Sequence, residues 1–194
     1  MSTASLGSYY RTIITVAVVL LATAFLFSSL RVDAWVGLKP FFEWMGTTWF
    51  GVIGTTWGAV FAVVQAFHLL AMALMGGAII VSDGRLLGLG FSEMDEREVL
   101  DKSHTIFSRS LAVVLLTGIF MACGVAMKIY YLEVYWYKML ALSVGILFTY
   151  GIKKPLLAKS LDDISPLVRR AVALSSLVVW FSVAGAVRWI GFSG

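Results

Sequence analysis

His68 is the only titratable side chain between Glu43 and Asp83, a stretch without a single charged residue. A run of that length crosses a bilayer, which puts the imidazole roughly halfway through hydrocarbon, where a polar group needs a partner. Imidazole is also the commonest side-chain metal ligand. At helical spacing the face of His68 also carries Phe61, Val64, Gln65, Ala71, Met72 and Met75, with Gly76 and Gly77 just beyond. Small residues let a flat macrocycle or another helix come close, and methionines are soft packing groups or thioether ligands. Two readings stand side by side. His68 is an axial ligand to a b-type heme, or it is hydrogen-bonded across a helix interface with methionine and glycine as ordinary packing.

A two-histidine heme site needs a second histidine at the same depth, and the only other one is His104. The helix carrying His68 is expected to end near Asp83, ~22 Å along its axis at 1.5 Å per residue. His104 follows that end and belongs at the membrane edge, so the two histidines do not share one iron. A single-histidine site leaves the opposite position open or filled by sulfur, and Met121 lies at a suitable depth. Lys138 falls just inside the start of a later apolar run. It either snorkels to the surface or pairs with an anionic group such as a heme propionate, a bound quinone or a lipid headgroup. Arg188, beside Trp189, has the same two options.

These residues must be positioned by membrane helices. Of the 194 residues 60% are apolar and 13% charged, with a mean hydropathy of +0.90. Soluble domains carry about 25% charged residues, so the composition specifies an integral membrane protein. Five stretches reach toward the ~20 residues a span demands: residues 13–30, 58–81, 110–127, 134–152 and 167–187. The last has a readable start, with Ser165 as N-cap and Pro166 at the first helical position. The first carries a small-residue Ala22-Thr23-Ala24 triplet but stays apolar well past it, which reads as an uncleaved anchor. The expected fold class is an all-α integral membrane bundle of about five transmembrane helices. Residues 1–57 form an N-terminal anchor helix and a Trp-rich interfacial segment; residues 58–194 form a four-helix core. Ser92 to Asp101 reads as a separate short charged helix.

Ten Lys and Arg side chains fall on one side of this arrangement and five on the other. The positive-inside rule makes the richer side cytoplasmic, with the N-terminus inside and the C-terminus outside. Trp35, Trp44, Trp49, Trp57, Trp136 and Trp189 then gather at the outer side as an aromatic belt, and residues 33–56 form an interfacial or re-entrant piece there. A net charge of +4 reflects these loop cations and gives no reason to expect nucleic acid. The loops are too short for a soluble catalytic domain. They hold no phosphate-binding glycine loop, Ser/His/Asp set or HExxH. With one cysteine, Cys123, there is no intrachain disulfide framework and no CxxC site.

The order of motifs resembles a known superfamily. His68 opens HLLAMALMGGAII, followed by DGRLLGL (83–89), FSRSLAVVLLTGIF (107–120) and YWYKMLALSVGILFTYGIKKPLL (135–157). This looks like the small four-helix bacterial membrane proteins that include CopD-type copper-resistance domains and HemJ-type protoporphyrinogen oxidases. The resemblance covers about residues 58 to 190. It implies heme b associated with His68 and Lys138, and a place in the bacterial inner membrane. The chain lacks the further histidines of a copper path, and nothing in it identifies a porphyrinogen pocket.

Three expectations follow. The first is a b-heme subunit passing electrons between a quinone and a membrane or periplasmic redox partner at the outer face. The second is a HemJ-like porphyrinogen oxidoreductase. The third is a cofactor-free accessory subunit of a larger membrane complex. The bilayer is the expected surrounding in each, and a homo-oligomer is compatible with all.

Overall fold

A computed structural model of the chain describes residues 10, 13–14, 16–18, 20–21, 23–24, 27–28, 30–90, 92–158 and 161–190, the side chains of 30–31, 162 and 186–190 excepted. The expected first span, residues 13–30, lies partly outside the described residues. Everything described is helix, turn or loop, with no strand among the described residues. The protein is an all-α membrane protein. Among the described residues, four helices are long and apolar enough to cross a bilayer: Gly58–Leu87, Glu96–Gly124, Glu133–Leu157 and Pro166–Gly185. The described residues divide into two compact units, one within 38–135 and one made of the described residues before 38 and after 135.

The first unit begins within helix α1 (Leu30–Thr47) and continues through α2 (Trp49–Thr56), α3 (Gly58–Leu87), α4 (Glu96–Gly124) and the short α5 (Ala126–Tyr130). Thr48 caps α2 by accepting the Gly51 N–H at 3.2 Å. The α3 helix runs six residues past the expected end at Val81. The Asp83-Gly84-Arg85 turn does not break it. What stops it is Gly88, whose φ of 77° is left-handed, a conformation that glycine adopts without steric cost. At 30 residues, or about 45 Å, α3 is longer than a ~30 Å hydrocarbon layer.

The second half of the expected short charged helix, Glu96–Asp101, proves to be less than the first two turns of α4, and Ser92–Asp95 lead into it as turn and cap. Asp95 accepts the Glu98 N–H at 2.9 Å as its N-cap, and Glu96 and Glu98 complement the positive end of the helix. A capped, acidic start therefore feeds straight into the apolar run. The α4 helix ends at Gly124, where Val125 (φ −130°, ψ 29°) breaks the backbone before α5.

The α3 and α4 helices are antiparallel neighbours, and two contacts fix their register. The His68 ring meets Thr117 at 2.7 Å. Seven residues earlier on α3 and seven later on α4, Phe61 lies against Gly124, where an added Cβ would sit 3.2 Å from the Phe61 ring and 3.2 Å from the Gly54 α-carbon. Seven residues is close to two helical turns. Carried on at the same spacing, this register brings Met75 level with Ser110 and Ser82 level with Ser103, all four buried. The α4 side of the seam is therefore Ser103, Ser110, Thr117 and Gly124. These small residues allow close approach where no hydrophobic force drives helix association within lipid.

The second unit contains α6 (Glu133–Leu147, its first residues in the other unit), a π-helical segment (Phe148–Lys153), α7 (Lys154–Leu157) and α8 (Pro166–Ile190). The π segment has a local cause. Pro155 has no N–H, and its ring clashes with the carbonyl four residues back. The turn before it widens, and the Lys154 N–H bonds the Thr149 carbonyl five residues back rather than four. The α8 helix starts as expected, with the Val168 N–H donating to Ser165 Oγ at 3.4 Å. Its buried residues Ala173, Ser176, Trp180 and Val183 make a stripe at alternating three- and four-residue spacing.

Candidate functional site

His68 lies ten residues into α3, about 15 Å from its start, and is 6% exposed. Its Nδ1 is 2.7 Å from Thr117 Oγ1. The proton on that bond can be assigned. Thr117 Oγ1 is also 2.6 Å from the Val113 carbonyl oxygen, and two oxygens that close require a proton between them. A threonine hydroxyl has one proton and a carbonyl can only accept. The Thr117 proton is therefore engaged with Val113, and Thr117 must accept from His68. Nδ1 of His68 carries the hydrogen, and in the neutral ring Nε2 is the nitrogen with the lone pair.

The ring is held on a second side. Its Cε1 would be 3.4 Å from a Cβ added at Gly118, so the glycine lets the imidazole lie close to the α4 backbone. Of the residues expected on this face, Ala71 and Met75 are buried. Phe61, Val64, Met72 and Gly76 are half-buried, and Gln65 and Gly77 are exposed. A Cβ added at Gly76 or Gly77 meets no described atom within 4 Å, so neither glycine is needed for the α3–α4 contact. Met121 is half-buried one turn beyond Thr117 on α4, which keeps it near the depth of His68.

His104 is far from this level. It precedes Thr117 by thirteen residues of continuous helix, about 20 Å along the axis. It stacks on Phe107, ring centroids 6.4 Å apart, and its Nε2 lies 3.5 Å from Ser108 Oγ. The two histidines do not converge. Among the described residues, no three His, Cys, Asp or Glu side chains gather as a metal-binding group. A single axial imidazole requires no such group.

Lys138 is half-buried on α6 and belongs to the other unit, as does Arg188, whose side chain lies outside the described residues. The second unit has a buried polar set that sequence reasoning missed. Trp180 Nε1 donates to Thr149 Oγ1 at 3.2 Å, and Lys153 Nζ donates to Ser176 Oγ at 3.3 Å. Lys153 is 8% exposed. Thr117 and Gly118 were missed too, and so was the burial of Asp83, which is fully enclosed. The available signal was the spacing of Ser103, Ser110 and Thr117, one hydroxyl every seven residues within an apolar helix.

A family model matches residues 41–193. The chain belongs to the family of unknown function DUF6644. The match takes in every residue of the His68 site and of the Lys153 set and begins within α1. No curated protein and no solved structure matches this DUF6644 chain.

Proposed function

We propose that the protein is a membrane-embedded b-type heme subunit with His68 Nε2 as an axial ligand, carrying electrons between a quinone in the bilayer and a redox partner at the outer face. The observation that carries this reading is the 2.7 Å contact of His68 Nδ1 with Thr117 Oγ1, whose own hydroxyl lies 2.6 Å from the Val113 carbonyl and so favours the Nδ1–H tautomer. Metal-ligating histidines nearly always donate their other ring N–H to a fixed acceptor, which sets the tautomer and the ring orientation. Thr117 does this for His68 in mid-span, among apolar residues. The donor chemistry therefore fits an axial imidazole. When bound, heme supplies reversible one-electron transfer; the chain supplies a neutral, oriented nitrogen and dry surroundings.

The resemblance to HemJ-type and CopD-type membrane proteins supports the same ligand. The excess of Lys and Arg in one set of loops supports a bacterial inner-membrane orientation with the N-terminus cytoplasmic and the C-terminus outside. The accessory-subunit reading takes the His68–Thr117 bond as an interhelix tie and nothing more.

A reduced-minus-oxidised visible spectrum of the purified full chain, produced with ample heme supply, separates the two. The heme reading expects b-type bands that vanish in His68→Ala and persist in His104→Ala. A wild-type protein with no bands, or a His68→Ala protein with full bands, overturns it. Porphyrinogen turnover by heme-loaded protein would instead place the chain with the oxidases.

A further inference from the structure

The part of α1 inside the first unit, residues 38–47, has three distinct sides. Phe42 and Met45, three residues apart, are buried. Phe42 packs on Tyr130 and Tyr135, with ring centroids 5.4 Å and 6.3 Å away. A second side carries Phe41 and Trp44, again three apart. Their centroids are 5.7 Å apart, yet they are 50% and 59% exposed. A third side carries Lys39 and Glu43, four apart, whose charged groups approach to 3.8 Å and are also exposed. Residues three and four apart share a helix face, so the three pairs define three directions around one axis.

The depth of this helix follows from what Phe42 touches. Tyr130 belongs to α5, after the span Glu96–Gly124 has ended, and Tyr135 is in the first turn of the span that begins at Glu133. That is the level at which two spans leave hydrocarbon. A helix at this level with one side on protein, one aromatic and one charged fits a single setting, the boundary between headgroups and acyl chains. There Trp and Phe face the lipid and charges face the water.

We propose that residues 38–47 form a lipid-binding face lying in the membrane interface, with Phe41 and Trp44 inserted among the upper acyl chains and the Lys39–Glu43 pair at the headgroups. The occupant is phospholipid rather than protein. The Lys39–Glu43 pair is charge-neutral, as zwitterionic headgroups are, and Trp49 and Phe50 at the start of α2 are exposed aromatic side chains as well. The proposal does not depend on heme.

Single cysteines at 39, 41, 43 and 44, in full-length protein with Cys123→Ser, can be spin-labelled in phosphatidylcholine nanodiscs. Collisions with oxygen report lipid, and collisions with a nickel chelate report water. The expected pattern reverses around the helix: oxygen dominates at 41 and 44, nickel at 39 and 43. Nickel dominating at all four overturns the proposal, because the aromatic side is then in water. Shielding of 41 and 44 from both reagents also overturns it, because a protein surface then covers them. If the Cys123→Ser background does not fold, brominated phosphatidylcholine provides the same test. It should quench tryptophan emission less in Trp44→Phe than in wild type, and unchanged quenching overturns the assignment.

Discussion

Each unit buries a basic side chain in a membrane helix, and the two do so differently. In the first unit His68 sits on an unbroken helix and is held by a threonine seven residues from the next seam position. In the second unit Lys153 sits in a widened turn and is held by Ser176 of α8. The first seam repeats every seven residues, at Phe61, His68, Met75 and Ser82. The second repeats every four, at Gly145, Thr149 and Lys153, with Trp180 against both Gly145 and Thr149. The difference follows from the side chains. An imidazole is short and flat, and one small residue opposite it, Gly118, makes room. An ammonium on a four-carbon stem near a span end would otherwise reach for water. Turning it inward takes a local change of backbone.

This comparison can be broken experimentally, and the largest effect should come from the tightest point of the first seam. Gly124→Leu forces a side chain against the Gly54 backbone and the Phe61 ring. It should destabilise the protein by about 3 kcal/mol, the upper range for overpacking, measured by thermal unfolding in detergent. A variant as stable as wild type would mean that α2, α3 and α4 do not meet there.

Thr117→Val comes next. It keeps the shape but removes the acceptor, leaving a buried N–H unpaired at a cost of about 1–3 kcal/mol. Thr117→Ser should recover most of that. If heme is bound, Thr117→Val should also shift its midpoint potential, because the N–H donated to Thr117 sets how basic Nε2 is. An interhelix tie alone would change stability and leave no potential to shift.

Ser176→Ala tests the other unit. It removes one acceptor from Lys153 and should cost about 1 kcal/mol, the usual net value of one hydrogen bond. The flexible stem lets the ammonium find another acceptor, so the loss should be smaller than in Thr117→Val. An equal or larger loss would mean that the second seam is the more rigid one. The smallest effect is expected at Gly76→Ala, where the added methyl meets nothing described. Glycine is about 1 kcal/mol less favourable than alanine within a helix, so this variant should be neutral or slightly stabilised. A marked loss would show that something packs on that face.

Much of the fold was legible because apolar runs of ~20 residues have few alternatives. All four expected core spans are present, and Ser165-Pro166 marks the start of α8. The ends were harder to read. Asp83 and Arg85 look like the stop of α3, but charge does not stop a helix, and Gly88 does. Ser92 to Asp101 looks like a separate element, but Asp95 caps a helix that simply continues. His68 was legible because it is the only titratable group in its run. Thr117 was not, because one threonine in an apolar helix looks like many others until a register sets it opposite a histidine. Lys153 read as one of the loop cations of the richer side, because the apolar run 134–152 ends just before it. Here the span continues through a widened turn instead.

That turn also works as a correction of angular phase. Eight residues of regular α-helix advance about 80° beyond whole turns, which would swing Lys153 well away from the line of Gly145. A turn that takes in an extra residue rotates less per residue and gives much of that angle back. Gly145, Thr149 and Lys153 can then all face α8. Deleting one residue from 150–152 would restore a regular helix with Lys153 seven residues from Gly145, about 20° short of two whole turns. The polar stripe would then keep its direction, so the widened turn accommodates one more residue than a regular helix could while leaving the same side chains facing α8.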